Sequence, residues 1–178
     1  MQISRKVKIP DGLKNFKLER WSELPDFGIY KDQLVTIIKE NLKPIYLDDE
    51  DFISPSMINN YVKLNRIKPP VKKKYFKEQI AVAMIITGLK QVLTLDDISS
   101  GISLATKIYS HEQAYNIFCE LFENNIKQVF MSELDDIYLS KIADDGTNLS
   151  INMITLSLCM KIYTQLIIKE GGIGGINE

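Results

Sequence analysis

The sequence predicts an all-α protein. Apolar residues recur three and four positions apart through most of the chain, and Ser, Thr or Pro signals for a helix start precede several of these segments. Alternating strand patterns are absent apart from one lysine-rich stretch, residues 71–76. With 178 residues, 45% of them hydrophobic, the chain can bury a core without disulfides or structural metals.

The first helix is predicted to follow a basic lead-in. Residues 1–20 have weak periodicity and contain the turn sequence Pro10-Asp11-Gly12, so we expect an extended or poorly ordered arm. Apolar spacing then predicts a helix over Lys31–Leu42 that Pro44 ends. The residues expected to anchor the arm are Trp21, Leu24, Phe27 and Ile29.

A short helix is predicted after the acidic loop at residues 48–51. Ser54 can cap the free amides of its first turn, and Pro55 suits the first helical position because it has no amide to leave unpaired. The helix should end near Leu64, since Asn65 tolerates positive φ and Pro69-Pro70 excludes further helix. Residues 71–76 should be extended.

Three helices are predicted between residues 77 and 131, the first of them at the centre of the core. Residues 77–93 are apolar over most of the helix circumference, which is typical of a core helix. Thr94 with Asp97, and Ser110 with Gln113, are capping signals that predict helices over 95–104 and 111–131. The last of these carries one apolar stripe: Ala114, Phe118, Leu121, Phe122, Ile126, Val129 and Phe130.

The C-terminal part is predicted to hold a shorter segment and a long helix. The segment covers residues 134–142 and leads to the turn Asp144-Asp145-Gly146. The long helix covers 150–169 and stops at Gly171-Gly172. Four glycines fall between 171 and 175, so we expect residues 171–178 to be a flexible tail.

Charge is segregated along the chain. Residues 1–90 hold 17 Lys/Arg and 11 Asp/Glu, a balance of +6, whereas residues 91–178 hold 5 and 12, a balance of −7. Seven basic residues fall within positions 63–77, and no acid interrupts positions 53–77. A surface that serves only solubility mixes both signs, so this cluster indicates a polyanionic partner.

Side chains of the short helix complete a candidate surface for double-stranded DNA. Its polar residues share one face, and asparagine can pair bidentately with adenine in the major groove. Lysines in a neighbouring two-stranded wing would meet phosphates. The predicted nucleic-acid-binding residues are Ser56, Asn59, Asn60, Lys63, Arg66, Lys68, Lys72, Lys73, Lys74 and Lys77. The residues expected to face the core are Met57, Ile58, Tyr61 and Leu64.

The segment from the short helix to the helix start at Thr94 resembles the DNA-binding half of the MerR family. Residues 58–69 lie over that family's recognition helix and turn, Lys74-Tyr75-Phe76 over its wing, and Thr94-Leu95-Asp96-Asp97-Ile98 over the helix start that follows. The resemblance implies a MerR-like winged helix-turn-helix over residues 21–106, with a short β-wing, in a transcriptional regulator. A C-terminal helical bundle over residues 107–170 should follow it.

The order of motifs is also similar to the bacterial family of domain of unknown function 1836. The similarity rests on Trp21-Ser22-Glu23-Leu24-Pro25, residues 54–60, the Lys74-Tyr75-Phe76 element and the capped Thr94 segment, and it covers roughly residues 15–170. Asn59 stands where MerR proteins usually have arginine, Asn65 replaces the turn glycine, and the acidic run lengthens a loop. These departures leave a second hypothesis open: a protein-interaction module that keeps the helix-turn-helix shape without binding DNA.

Enzymatic function is not expected. The sequence contains no Gly-rich phosphate loop, no HExxH and no GxSxG. His111 is the only histidine and fits an exposed first-turn position, and the acids at 48–51 lack the alternating spacing of a calcium loop. Cys119 and Cys159 lie forty positions apart in apolar segments, so we interpret them as reduced core thiols. No cofactor and no metal are expected.

The protein is expected in the cytoplasm, away from membranes. The basic N-terminus lacks the apolar core of a signal peptide. The richest apolar stretch, residues 151–168, contains Asn152, Lys161 and Gln165, which makes it a poor membrane span.

The last helix carries two apolar stripes. One stripe is enough to dock a helix on its own core, so the second is predicted to form a homodimer, which would suit a two-fold symmetric operator. The first stripe is Ile151, Ile154, Leu158, Ile162 and Leu166, and the predicted dimerisation residues are Leu156, Met160, Tyr163 and Ile167. Aromatic residues of this half should pack the core, line a small-molecule effector pocket, or join the interface: Phe118, Phe122, Phe130, Tyr138 and Tyr163.

Overall fold

The computed structural model describes residues 7–47, 51–131 and 148–170, and its regular structure there is helical. The helices are α1 Asp11–Lys14, α2 Lys31–Leu42, α3 Pro55–Lys63, α4 Lys77–Leu89, α5 Leu95–Ile108, α6 His111–Met131 and α7 Leu149–Lys169, with a 3-10 turn at Lys43–Tyr46. The all-α prediction is confirmed. The β pairing within these ranges amounts to two isolated antiparallel bridges, Ile29 with Tyr75 and Val71 with Lys74.

Two helices differ in length from the prediction. α4 ends at Leu89 instead of near residue 93, because the amides of Val92 and Leu93 both bond to the Leu89 carbonyl and form a turn. α5 continues past Leu104 to Ile108, since the residues between them include no helix breaker. The predicted elements at 134–142, 144–146 and 171–178, and most of the acidic loop, lie outside the described residues.

Contacts divide the chain into two compact units, residues 17–120 and residues 1–16 with 121–178. The division falls inside α6, whereas the sequence placed a division near residue 106.

The first unit is built around α4. Ile80, Ala83 and Met84 on this helix are fully buried, as predicted for a core helix. α2 packs against α3 and α4, and α5 packs against α4. Apolar side chains of α2 and α3, including Leu34 and Ile58, fill the space between these helices. α3 is therefore held by one face and leaves the other face to solvent.

An aromatic pair fastens the chain on both sides of the acidic loop. The rings of Tyr46 and Phe52 are stacked with centroids 4.0 Å apart. Lys90, just after α4, donates to the Phe52 carbonyl and lies 5.9 Å from the centre of the Tyr46 ring. The entrance to α3 is thereby tied to the end of the core helix.

The predicted N-terminal arm is wrong for residues 7–20. Leu13 and Phe16, at and after α1, are buried, and so is Leu18. Within the second unit the Phe16 ring meets Phe122 edge to face, with centroids 5.1 Å apart. The apolar side chains of the arm are irregularly spaced in the sequence. Periodicity therefore did not predict that they would be buried.

The anchoring residues after the arm are only partly as expected. Leu24 and Ile29 are buried and Trp21 is half-buried. Phe27, however, is 68% exposed, because the chain bends at residues 26 and 27 before it pairs with Tyr75.

The second unit pairs the C-terminal part of α6 with α7. The Asn125 side-chain amide donates to Asn152 Oδ1 at 2.9 Å and to Thr155 Oγ1 at 2.8 Å, so a hydrogen-bonded polar cluster joins the two helices. Cys159 is buried and free, and burial raises the pKa of its thiol, which keeps it protonated. Cys119, in the first unit, is also buried and forms no disulfide, and its Sγ lies 3.9 Å from the Glu19 carbonyl oxygen.

The predicted dimerisation stripe of α7 is unevenly covered within this unit. Leu156 is buried, Tyr163 and Ile167 are half-buried, and Met160 is 46% exposed. The Tyr163 ring lies 5.6 Å from the Phe130 ring, which explains its partial burial.

α7 is also long and apolar enough to cross a membrane, although 39% of its most apolar stretch is buried within the protein. Core helices of soluble proteins meet the same two criteria, so the cytoplasmic location stays a prediction.

Candidate nucleic-acid interface

α3 presents an exposed polar face. Ser54 caps the helix by accepting the Met57 amide at 3.3 Å, and Pro55 occupies the first helical position as predicted. Ile58 and Tyr61 are buried and fix the rotation of the helix. The opposite side carries exposed residues that we call the α3 polar face: Ser56, Asn59, Asn60 and Lys63.

The end of α3 turns the chain sharply. Asn65 has φ of 56°, the positive value predicted for it, and the Arg66 amide bonds back to the Tyr61 carbonyl at 2.8 Å. Leu64 is 44% exposed, so its predicted core position is wrong: it lies just beyond the last turn, where the chain no longer follows the helical period. Met57 is half-buried.

Residues 71–74 form a two-residue turn that we call the basic hairpin. Val71 and Lys74 exchange both backbone hydrogen bonds, at 3.0 and 2.9 Å. Lys72 and Lys73 at the tip have φ of 49° and 65°. Positive φ at both central residues is the requirement of a type I′ turn, where Asn-Gly is the relaxed choice. Lysine at these positions is strained by about 1–2 kcal/mol per residue.

The chain before α2 attaches the basic hairpin to the first unit. Tyr75 and Ile29 exchange backbone hydrogen bonds at 2.8 and 2.9 Å. Gly28 lies so close that a Cβ there would come within 2.8 Å of Lys74 Cβ and of the Phe76 ring. Only glycine allows this approach.

A short chain of contacts joins the α3 polar face to the basic hairpin. Asn59 Oδ1 accepts a hydrogen bond from Lys31 Nζ at 2.9 Å. The neighbouring Tyr30 lies beneath Lys74, whose Nζ is 5.5 Å from the ring centroid. Lys31 was not among the predicted site residues, because its proximity to α3 depends on how α2 and α3 pack.

Gln79 is a second residue that the sequence did not reveal. Its side chain is buried at the start of α4, accepts the Phe76 amide at 2.8 Å, and donates to the carbonyls of Lys68 and Pro69 at 3.0 and 2.8 Å. These bonds hold both ends of the segment that carries the basic hairpin.

Replacing Gln79 with alanine should lower the free energy of unfolding by about 1–3 kcal/mol, because the groups it satisfies would lose their partner. Urea unfolding followed by circular dichroism measures this. Gln113→Ala is the matched control, since Gln113 makes a similar first-turn bond to the Ser110 amide at an exposed position. Equal losses for the two variants would contradict the role assigned to Gln79.

The predicted basic residues fall into two groups. Three of them form ion pairs: Arg66 with Asp96, Lys68 with Glu78 at 2.6 Å, and Lys77 with Asp26 at 2.6 Å. The other four form no ion pair within the part of the chain that the structure describes: Lys63, Lys72, Lys73 and Lys74. The unpaired charge is thus concentrated on the basic hairpin and the end of α3.

Two buried tyrosines belong to the segments that form this surface: Tyr61 in α3 and Tyr75 directly after the basic hairpin. Burial raises the pKa of the Tyr61 hydroxyl and that of the Tyr75 hydroxyl. Both side chains therefore stay neutral and add no negative charge next to the lysines.

His111 lies at the first position of α6, as predicted. Its side chain is 43% exposed and its Nε2 is 3.2 Å from Glu78 Oε1. Across the described ranges, no group of three or more His, Cys, Asp or Glu side chains is placed to hold a metal ion.

The protein is of an all-helical class in which a polar helix face lies beside a basic hairpin. The family described as Domain of unknown function (DUF1836) matches residues 19–118, more than half of the chain, and the chain belongs to this family. The match nearly coincides with the compact unit 17–120. No curated protein and no solved structure matches the chain.

Proposed function

We propose that the protein is a DNA-binding transcriptional regulator of MerR-like type. The α3 polar face enters the major groove, and the basic hairpin contacts the phosphates beside it. Such a division of labour is general, since base contacts specify sequence while phosphate contacts fix position.

The observation that carries the proposal is the placement of lysine at strained positions. Lys72 and Lys73 occupy the tip of the basic hairpin with positive φ, and both are exposed and without an ion pair among the described residues. Strained backbone persists where a function requires it. Two adjacent cations on a protruding turn match the phosphate backbone of a duplex.

The contact chain through Tyr30 and Lys31 gives further support. It places the α3 polar face and Lys74 on one side of the unit. No acid occurs between residues 53 and 77, so no carboxylate in this stretch of sequence repels a polyanion.

The second candidate function is a protein-interaction module. Exposed apolar side chains near the basic hairpin favour it: Phe27 at 68%, Tyr30 at 56%, Val71 at 60% and Phe76 at 41%. Aromatic residues are enriched in protein interfaces.

A salt series distinguishes the two functions. With four unpaired lysines on phosphates, log affinity for duplex DNA should fall against log salt with a slope of roughly −3 to −4, since each contact contributes about 0.9. Fluorescence anisotropy with a labelled random duplex measures the slope. Absence of binding at low salt would reject DNA and favour the protein partner.

We also propose that α7 makes the protein a homodimer. Its apolar residues follow each other at intervals of 4, 3, 4, 3 and 4, the heptad spacing of a coiled-coil seam. The seam consists of Leu149, Met153, Leu156, Met160, Tyr163 and Ile167. Leu149, Met153 and Met160 are 43%, 39% and 46% exposed, which leaves apolar surface for a second copy.

Met160→Glu should convert the dimer to a monomer, because it places a charge in the middle of the seam. Sedimentation equilibrium of the full chain measures the mass. Gln165→Glu adds the same charge at an exposed α7 position outside the seam and should leave the dimer intact. A wild-type chain that is monomeric at high micromolar concentration would reject the dimer.

A further inference from the structure

A cleft of about 280 Å³ opens in the first unit behind the turn that follows α3. Its walls come from that turn, from the start of α4 and from one side of α5. Val82 and Ile102 form an apolar part of the lining, and Arg66, Ser99 and His111 contribute polar groups. The volume lies just below the range of drug-sized pockets, so it suits a small organic molecule.

Two buried polar atoms in this lining have no hydrogen-bond partner in the described chain. They are Arg66 Nε, from the turn after α3, and Ser99 Oγ, from α5. Buried donors are almost always paired in folded proteins, so two unpaired donors at one cleft point to a ligand that accepts hydrogen bonds.

The charges around the cleft favour an anionic acceptor. Arg66 and Lys68 are both among the lining residues. Glu78 is the lining carboxylate, and it is already engaged by Lys68 at 2.6 Å and by His111 at 3.2 Å. The Nε of Arg66 remains available, because the guanidinium meets Asp96 through Nη2. A guanidinium with a free N–H is a strong partner for carboxylate or phosphate oxygens.

We propose that this cleft binds a small organic oxyanion, a carboxylate or phosphate monoester on a short apolar body. The oxyanion accepts from Arg66 and Ser99, and the apolar body covers Val82 and Ile102. The site is distinct from the α3 polar face and from the basic hairpin, and its existence does not depend on DNA binding.

The test titrates the full chain, without DNA, with acetate, butyrate and inorganic phosphate while amide spectra are recorded by NMR. We expect saturable shifts at the α5 residues Ser99, Ser103 and Thr106. Butyrate should bind several-fold more tightly than acetate, because each added methylene buries apolar surface. Preference for phosphate over both carboxylates would identify the oxyanion as a phosphate.

Variants test the assigned contacts. Ser99→Ala and Arg66→Gln should each weaken the best probe by about fivefold or more, as expected for a lost hydrogen bond to a charged group. Glu78→Gln should strengthen binding, since it removes the carboxylate that repels the ligand. Lys107→Gln removes a cation from α5 outside the cleft and should change nothing.

Several outcomes would overturn the proposal. Shifts that do not saturate, or that spread over the surface lysines, would indicate general ion binding. Unchanged affinity in both Ser99→Ala and Glu78→Gln would show that the probe does not bind in the cleft. If a short duplex displaced the probe and shifted the same α5 amides, the cleft would bind a DNA phosphate and no small molecule.

Discussion

Replacing Lys72, Lys73 and Lys74 together with alanine should weaken binding to every duplex alike and reduce the salt slope by about two to three units. All three lysines belong to the basic hairpin, and none forms an ion pair with a described residue. A hairpin that contacts phosphate carries no base readout, so the loss should not depend on sequence. Anisotropy titrations with specific and random duplexes, each over a salt series, measure it.

A second variant separates the effect of the lysine charges on DNA binding from their effect on the stability of the fold. Lys72→Asn with Lys73→Gly supplies the residues that a type I′ turn prefers. It should raise the free energy of unfolding by about 1–3 kcal/mol, because the strain at two positive φ values is relieved. It should nevertheless reduce the salt slope by about two units, since two phosphate contacts are lost. A slope that stays at the wild-type value would remove the basic hairpin from DNA binding.

Asn59→Ala should cost about 1–3 kcal/mol on a preferred DNA site and little on random DNA. Asn59 lies in the middle of the α3 polar face and is exposed, so its amide can reach a base edge. The preferred site is first obtained by selection from random duplexes. The same anisotropy assay then compares both DNAs.

Asn60→Ala is the comparison for this prediction. It removes the same side chain from the next position of the same face, but no hydrogen bond to Lys31. If Asn59 reads a base, its loss should be larger on the preferred site than on random DNA, whatever Asn60 does. Equal losses on both DNAs would show that Asn59 only positions the protein, through its contact with Lys31.

The all-α class and most helix limits could be predicted from the sequence, because they depend on neighbouring residues. Ser54 caps α3 through the Met57 amide, Thr94 caps α5 through the Asp97 amide, and Ser110 bonds to the Gln113 amide. Each signal spans three positions, within reach of one side chain. The burial of α4 likewise follows from an apolar circumference.

The same local reasoning found the exposed side of α3 and the lysines of the basic hairpin. Exposure follows from the helical period once Ile58 and Tyr61 are assigned to the core. Local reasoning wrongly predicted burial for Leu64, which lies past the last helical turn, and for Phe27, where the chain bends. The period has no meaning where the backbone is not regular.

Only the tertiary structure decided which charges are paired and which elements meet. Arg66 and Asp96 are thirty positions apart, and Lys31 and Asn59 twenty-eight, so no spacing rule connects them. The partners of Gln79 and the unpaired atoms of the cleft also depend on how α4 and α5 pack against the turn after α3. The chemical identity of a side chain determines which hydrogen bonds and ion pairs it can form. Its actual partner depends on contacts between segments that are distant in sequence. The sequence by itself therefore determined the helices and the charge of the surface, and the packing determined the geometry of the site.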